Sequence, residues 1–163
     1  MEAGKRTIRE IFNRGRNLEI PFFQRSYVWD EPQWKRFLED MTMVSETRSP
    51  YFLGSVILKQ QECTSDKDSL LTIIDGQQRL TTLNIFLKVL CLYNDDDAGF
   101  TETFKKQRDK KIILLHNHNN EESFNKVMYL TELTTFENIS ENDQILKAYE
   151  YFKKNIIEEE LSD

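Results

Sequence analysis

Residues 71–83 read Leu-Thr-Ile-Ile-Asp-Gly-Gln-Gln-Arg-Leu-Thr-Thr-Leu, and this stretch constrains the chain more than any other. A β-branched apolar run stops at Asp75-Gly76. Three polar residues later, Leu80, Leu83, Ile85, Phe86, Leu87, Val89 and Leu90 begin an apolar-periodic segment. The pattern predicts a strand, a tight turn and a helix from about Gln77 to Tyr93 that is buried on one or more faces. Asp75 followed three residues later by Gln78 predicts a capping box. Gly76 lets the backbone turn with no side chain in the way. A helix start with unpaired N–H groups, beside a glycine and with Arg79 one turn in, suits an anion such as a phosphate; the alternative is an ordinary cap that binds nothing.

The rest of the chain supports a globular setting for this block. At 163 residues it is long enough for one domain with a real core, and 39% hydrophobic and 31% charged residues, with only 5 Gly and 3 Pro, describe a helix-rich globular protein. The longest apolar run, Leu83 to Tyr93, is broken by Asn84 and Lys88 and is too short to cross a bilayer, and the N-terminus has no signal-peptide pattern, so the expected location is cytoplasmic with no membrane partner. Cys63 and Cys91 have neither metal-ligand spacing nor disulfide numbers and are expected as thiols. A net charge of −6 argues against a broad duplex-binding face but leaves room for a local basic pocket.

In chain order, Ile8, Ile11 and Phe12 predict a short helix with Thr7 as cap, and Leu18 to Phe23 a short strand with Pro21 at an edge or end. In Phe22-Phe23-Gln24-Arg25-Ser26-Tyr27-Val28-Trp29, large aromatics flank a glutamine and an arginine outside any helical period. Two readings stand for Arg25: recognition of a phosphate, carboxylate or base, or an internal salt bridge among core aromatics. Asp30, Pro32 and Gln33 predict a capped helix to about Glu46, burying Trp34, Phe37, Leu38, Met41 and Val44. Tyr51 to Lys59 predicts a strand with a central glycine, 60–68 a connecting loop, and Leu70 to Ile74 a strand pairing antiparallel with it. Asp95-Asp96-Asp97 reads as a solvated loop rather than a metal site, and His116 and His118 as a polar turn rather than zinc ligands. Further helices are expected at Phe100–Arg108, Glu121–Met128 and from a Ser140 cap onward, with a short strand at Ile112–Leu115. The last helix runs into Glu158-Glu159-Glu160 with no stop signal, as expected where a longer chain has been cut.

Four blocks in order, Ile20 to Trp29, Gln33-Trp34, Tyr51 to Ser55 and Asp75 to Leu83, with a closing Ala148-Tyr149-Glu150-Tyr151-Phe152, closely resemble the N-terminal domain of the GmrSD-type modification-dependent restriction enzymes. The resemblance spans roughly residues 7–157. It implies an α+β fold related to ParB and sulfiredoxin: a small mixed sheet with packed helices in residues 1–93 and a helical extension in 94–163, ahead of a missing C-terminal nuclease domain. His116-Asn117-His118 lacks the ββα setting of an HNH nuclease, so no DNA cleavage is expected from this chain alone. The resemblance further implies that the Asp75-Gly76-Gln77-Gln78-Arg79 block takes part in binding and hydrolysing a nucleoside triphosphate in phage-defence proteins whose full-length relatives cut DNA through a nuclease domain; Mg²⁺ beside the nucleotide is a hypothesis added to it, and a homo-oligomer is an open alternative to a single copy.

On that reading Asp75, Gln78 and Arg79 serve catalysis; Asp75 either ligates Mg²⁺ or is only a cap. Gln24, Arg25, Tyr27, Trp29, Gly76, Gln77, Thr81 and Thr82 would contact the nucleotide, Tyr27 or Trp29 by stacking on the base. No GxxxxGK[ST] loop occurs, which excludes a P-loop. Two rivals stay open: a DNA-sensing module in which Gln24, Arg25 and the aromatics read a modified base, and an assembly domain in which the motif is a buried hydrogen-bond network.

Overall fold

The computed structural model describes residues 4–60 and 69–159; most of the predicted 60–68 loop, Cys63 with it, lies outside the described residues. Helix α1 (Ile8–Ile11) starts from a full capping box between Thr7 and Glu10, and α2 (Glu31–Thr47) from a second between Asp30 and Gln33, with Pro32 in its first turn. Strands β1 (Arg16–Glu19), β2 (Ile57–Gln60) and β3 (Ser69–Asp75) precede the long helix α3 (Gln77–Tyr93). Then come α4 (Asp97–Phe104), β4 (Leu114–Leu115), α5 (Glu121–Met128) and α6 (Gln144–Glu159). The sheet order is β2-β3-β1-β4, with β1 parallel to β3 and β4, and β2 antiparallel to β3. The fold is α+β, a four-stranded mixed sheet with six helices among the described residues.

Helix α3 is the axis of the packing. Leu80, Leu83, Ile85, Phe86, Val89, Leu90 and Leu92 are all buried, so the helix is apolar nearly all round, as a helix enclosed by neighbours must be. Its main partner is α6, whose Ile145, Ala148, Tyr149, Phe152 and Ile156 form one fully buried stripe. Phe37, Phe86 and Phe152 meet edge-to-face at centroid distances of 5.4, 5.5 and 6.0 Å and join α2, α3 and α6. Residues beyond 93 therefore share one apolar cluster with the first half, and they also supply β4. Lys88, fully buried on α3, is paired with Asp97 at the start of α4 and lies 4.6 Å over the Phe100 ring. Burial lowers the Lys88 pKa against the opposing pull of Asp97. Asp96 caps α4 by accepting from the Gly99 N–H, so two of the three aspartates have structural work.

Several predicted boundaries move, each for a local reason. The strand expected at 18–23 is Arg16–Glu19 and stops before Pro21, which has no N–H to extend a ladder. The strand expected over 51–59 pairs only from Ile57 and runs one residue further, as Ile57–Gln60; Gly54 holds φ +134°, which breaks the extended run. The helix expected at 100–108 is Asp97–Phe104, and the strand at 112–115 shrinks to Leu114–Leu115 beside an isolated bridge between Lys105 and Ile112. Asp143, not Ser140, caps α6, its Oδ1 accepting from the Leu146 N–H at 3.1 Å. No helix among the described residues is long and apolar enough to cross a membrane.

Candidate functional site

Parallel pairing brings the carboxyl ends of β1, β3 and β4 to one edge of the sheet, and β3 hands the chain to α3 there. Gly76 is the N-cap, with φ +102°; a Cβ there would stand 2.9 Å from Val56 Cγ2 and 3.2 Å from the Ser55 carbonyl oxygen. With Gly76 as cap, Asp75 falls one residue outside the helix and Gln78 lands at the second helical position, not the third. The predicted Asp75–Gln78 capping box therefore does not form. Asp75 Oδ1 accepts instead from the Gly76 N–H at 2.9 Å, and the exposed carboxylate has no ion pair among the described residues.

Gln78 does different work. Its side chain is 7% exposed; Oε1 accepts from the Val28 and Trp29 N–H groups at 2.9 and 3.3 Å, and Nε2 donates to the Ser26 carbonyl at 3.2 Å. Next to it, Gln77 Nε2 donates to Gln24 Oε1 at 3.0 Å. The 24–29 loop is pinned from further elements as well. Asn120 Oδ1 accepts from Tyr27 N–H at 2.8 Å, Gln144 Nε2 donates to the Trp29 carbonyl at 3.0 Å, and Asn117 Nδ2 to the Gln24 carbonyl at 3.4 Å.

Beneath the loop runs a directed relay. Trp34 Nε1 donates to Tyr27 Oη at 2.8 Å, Tyr27 Oη meets Thr82 Oγ1 at 2.7 Å, and Thr82 Oγ1 donates to the Gln78 carbonyl at 2.8 Å. Since the Thr82 hydroxyl proton is engaged, Tyr27 is the donor in the middle step. Burial pushes the Tyr27 phenol well up, so it keeps its proton. Thr81 and Thr82 are fully buried and Tyr27 is 3% exposed, so these three hold the site from behind and do not present themselves to a ligand. Thr81 Oγ1 lies 2.8 Å from Nε2 of His116, a ring whose Nδ1 has no partner among the described residues and whose pKa burial pushes down to about 3.

The other flank is open. Arg79 Nη1 donates to the Ser55 carbonyl at 2.8 Å, and its guanidinium lies so close over Gly54 that a Cβ there would be 2.8 Å from Nε. Beyond it a cleft of about 250 Å³ opens between α2 and the 51–55 segment. Trp29 and Arg79 line it together with Gln33, Arg36 and Asp40 of α2, and Tyr51 meets Asp40 across it. Tyr51 Oη donates to Asp40 Oδ2 at 2.6 Å; desolvation, with Asp40 beside it, pushes the phenol up to about 12. Neither Arg79 nor Arg36 has an ion pair among the described residues.

Of the predicted site residues, Asp75, Gly76, Gln77, Arg79, Gln24 and Trp29 gather around the start of α3. Arg25 is exposed beside Phe22 and Phe23 and does not line the cleft; the second arginine there is Arg36. Arg36, Asp40 and Tyr51 were missed. Gln33, Arg36, Phe37 and Asp40 follow at i, i+3, i+4 and i+7, a polar-edged face of α2 that helical spacing exposes once it is sought. The described residues contain no cluster of three metal-ligating side chains.

A mixed sheet that delivers a glycine-capped helix to the carboxyl edge of its parallel strands, beside a cleft lined by Arg36 of α2 and Arg79 of α3, defines an α+β domain with one open flank at that helix start. Over residues 8–163 the chain matches the family described as GmrSD restriction endonuclease, N-terminal domain, and it belongs to that family. A search of curated proteins gives no match. The chain is therefore the N-terminal domain of a GmrSD-type restriction endonuclease, which sets it in a DNA context.

Proposed function

We propose that this domain binds a nucleoside triphosphate with Mg²⁺ at the start of α3, and that the bound nucleotide governs DNA restriction by a nuclease domain in the same protein or a partner, as a device of phage defence. The observation that carries this is Arg79: a guanidinium fixed by a single carbonyl, with no carboxylate neutralising it among the described residues, at a helix start whose first-turn N–H groups lack helical acceptors. Phosphate oxygens would take the remaining Arg79 donors and the Gln77 and Gln78 N–H groups. Asp75 would hold Mg²⁺, which supplies charge neutralisation on the phosphates. Gln78 is fully engaged with the 26–29 backbone, so Gln24, bridged to Gln77, is the residue left to orient a water for attack on the terminal phosphorus. A ParB-like ancestry fits this arrangement and belongs to the same proposal.

The test is a melting curve with a triphosphate and Mg²⁺. At 100 times Kd a ligand specific for the folded state adds about 2.7 kcal/mol, or roughly 5–10 °C for a chain of this size. Arg79→Ala should abolish the shift; an unchanged melting temperature with every triphosphate would end the proposal. A second reading has its own observation: Phe22 and Phe23 are 78% and 68% exposed beside Arg25, a suitable surface for an unstacked base. Binding of modified DNA oligomers without any triphosphate shift, lost in Phe23→Ala, would select it.

A further inference from the structure

Resting on the nucleotide reading, we infer that the cleft between α2 and the 51–55 segment is the subsite for the base and ribose, so that Arg36, Tyr51 and Trp29 hold the nucleoside while Arg79 and the start of α3 hold the phosphates. Size separates the two parts. The cleft measures about 250 Å³, below the roughly 300–1,000 Å³ of sites that enclose a whole drug-sized ligand, so it accepts one end of a nucleotide and leaves the charged end outside.

Its chemistry suits the nucleoside end. Trp29 and Tyr51 offer aromatic faces, and the Arg36 guanidinium, exposed and without an ion pair among the described residues, can stack on a heteroaromatic ring or donate to its edge. Asp40 gives Oδ2 to the Tyr51 hydroxyl and keeps Oδ1 as an acceptor for a ring or exocyclic N–H. Gln33 gives Oε1 to its own cap at 2.9 Å and keeps its amide N–H groups for a ring nitrogen or carbonyl. A phosphate would be poorly placed here, against the Asp40 carboxylate and an apolar wall. Arg79 lies where the two parts meet, lining the cleft while standing in the first turn of α3. The geometry orders the ligand: base toward Asp40, phosphates toward Gly76. The Tyr51–Asp40 hydrogen bond, which fastens the outer wall to α2, makes this pair positioning residues for the cleft.

The experiment measures Kd by calorimetry for each of the four ribonucleoside triphosphates and for inorganic tripolyphosphate, all with Mg²⁺, on the full chain and on Arg36→Ala and Tyr51→Ala. At least one nucleotide should bind tenfold or more tighter than tripolyphosphate, and both variants should reduce that advantage to less than threefold while leaving tripolyphosphate affinity unchanged. Arg36 is exposed and makes no internal ion pair, so its variant should melt as the parent does. If tripolyphosphate binds as tightly as every nucleotide, or if Arg36→Ala weakens both alike, the subsite is wrong and the phosphate site survives. If neither ligand class binds at all, the nucleotide reading itself has failed.

Discussion

Two loops flank the start of α3, and they are built on opposite principles. The 24–29 loop is held by side chains from three helices and the turn before α5: Gln77 and Gln78 of α3, Trp34 of α2, Gln144 of α6, with Asn117 and Asn120. The 51–56 segment rests on a hydrogen bond from Arg79 and one from Tyr51, carries Phe52 at 78% exposure, and borders an open cleft. The lesson lies in how the motif is divided. Its two glutamines serve the rigid side, and its arginine serves the open side. Pinned surfaces keep a site's geometry, while weakly tied ones can adjust around a ligand at little cost.

The largest expected effect breaks the rigid side. Gln78→Ala strips partners from Ser26, Val28 and Trp29 backbone groups, and unsatisfied groups of this kind cost about 1–3 kcal/mol each. Partial access to water at 26–29 reduces the sum, and a loss of roughly 3 kcal/mol in urea unfolding is expected; a loss below about 1 kcal/mol would show that the loop is not over-determined. Gly76→Ala comes next. It forces a residue with Cβ to φ +102° against Val56 Cγ2 and should cost about 1–3 kcal/mol, measured the same way.

Acid distinguishes the two flanks further. His116, with its folded pKa pushed down to about 3 by burial, lies behind Thr81 on the rigid side. The unfolded chain takes up the proton near pH 6.5 and the folded one does not, so stability present above that pH is lost as pH falls from about 6.5 toward 3, by at most about 1.4 kcal/mol per unit from this residue. His116→Gln should flatten that slope in denaturation curves taken between pH 7 and 4. The smallest effect belongs to the open flank: Tyr51→Phe removes one hydrogen bond at a partly exposed site and should cost under about 1 kcal/mol. A larger loss would mean that the 51–56 segment is as firmly held as its counterpart, and the contrast between the flanks would be gone.

Much of the architecture was legible before any coordinates. The capped start of α2, the β2–β3 hairpin, the limits of α3 and the buried stripe of α6 all follow from signals within a few residues of one another. The site was legible only in part. Asp75 and Gln78 have the spacing of a capping box, but Gly76 takes the cap position at φ +102°, and Gln78 is drawn to a loop some fifty residues earlier. Arg25 stands in the more conspicuous motif, yet Arg36, unremarkable in sequence, lines the cleft with Arg79.

Periodicity, caps and turn residues act through local sterics and near-neighbour hydrogen bonds, so the sequence by itself determined where helices and strands form and which faces they bury. Which polar side chains face a ligand and which are buried in support depended on contacts between residues far apart in the chain. Gln78 reaching Val28, Tyr27 meeting Thr82, and Arg79 lying over Gly54 are such contacts, and only tertiary structure decided them. A hydrogen-bonding group turns to whatever partner packing brings near it, and no spacing rule along one segment records that partner.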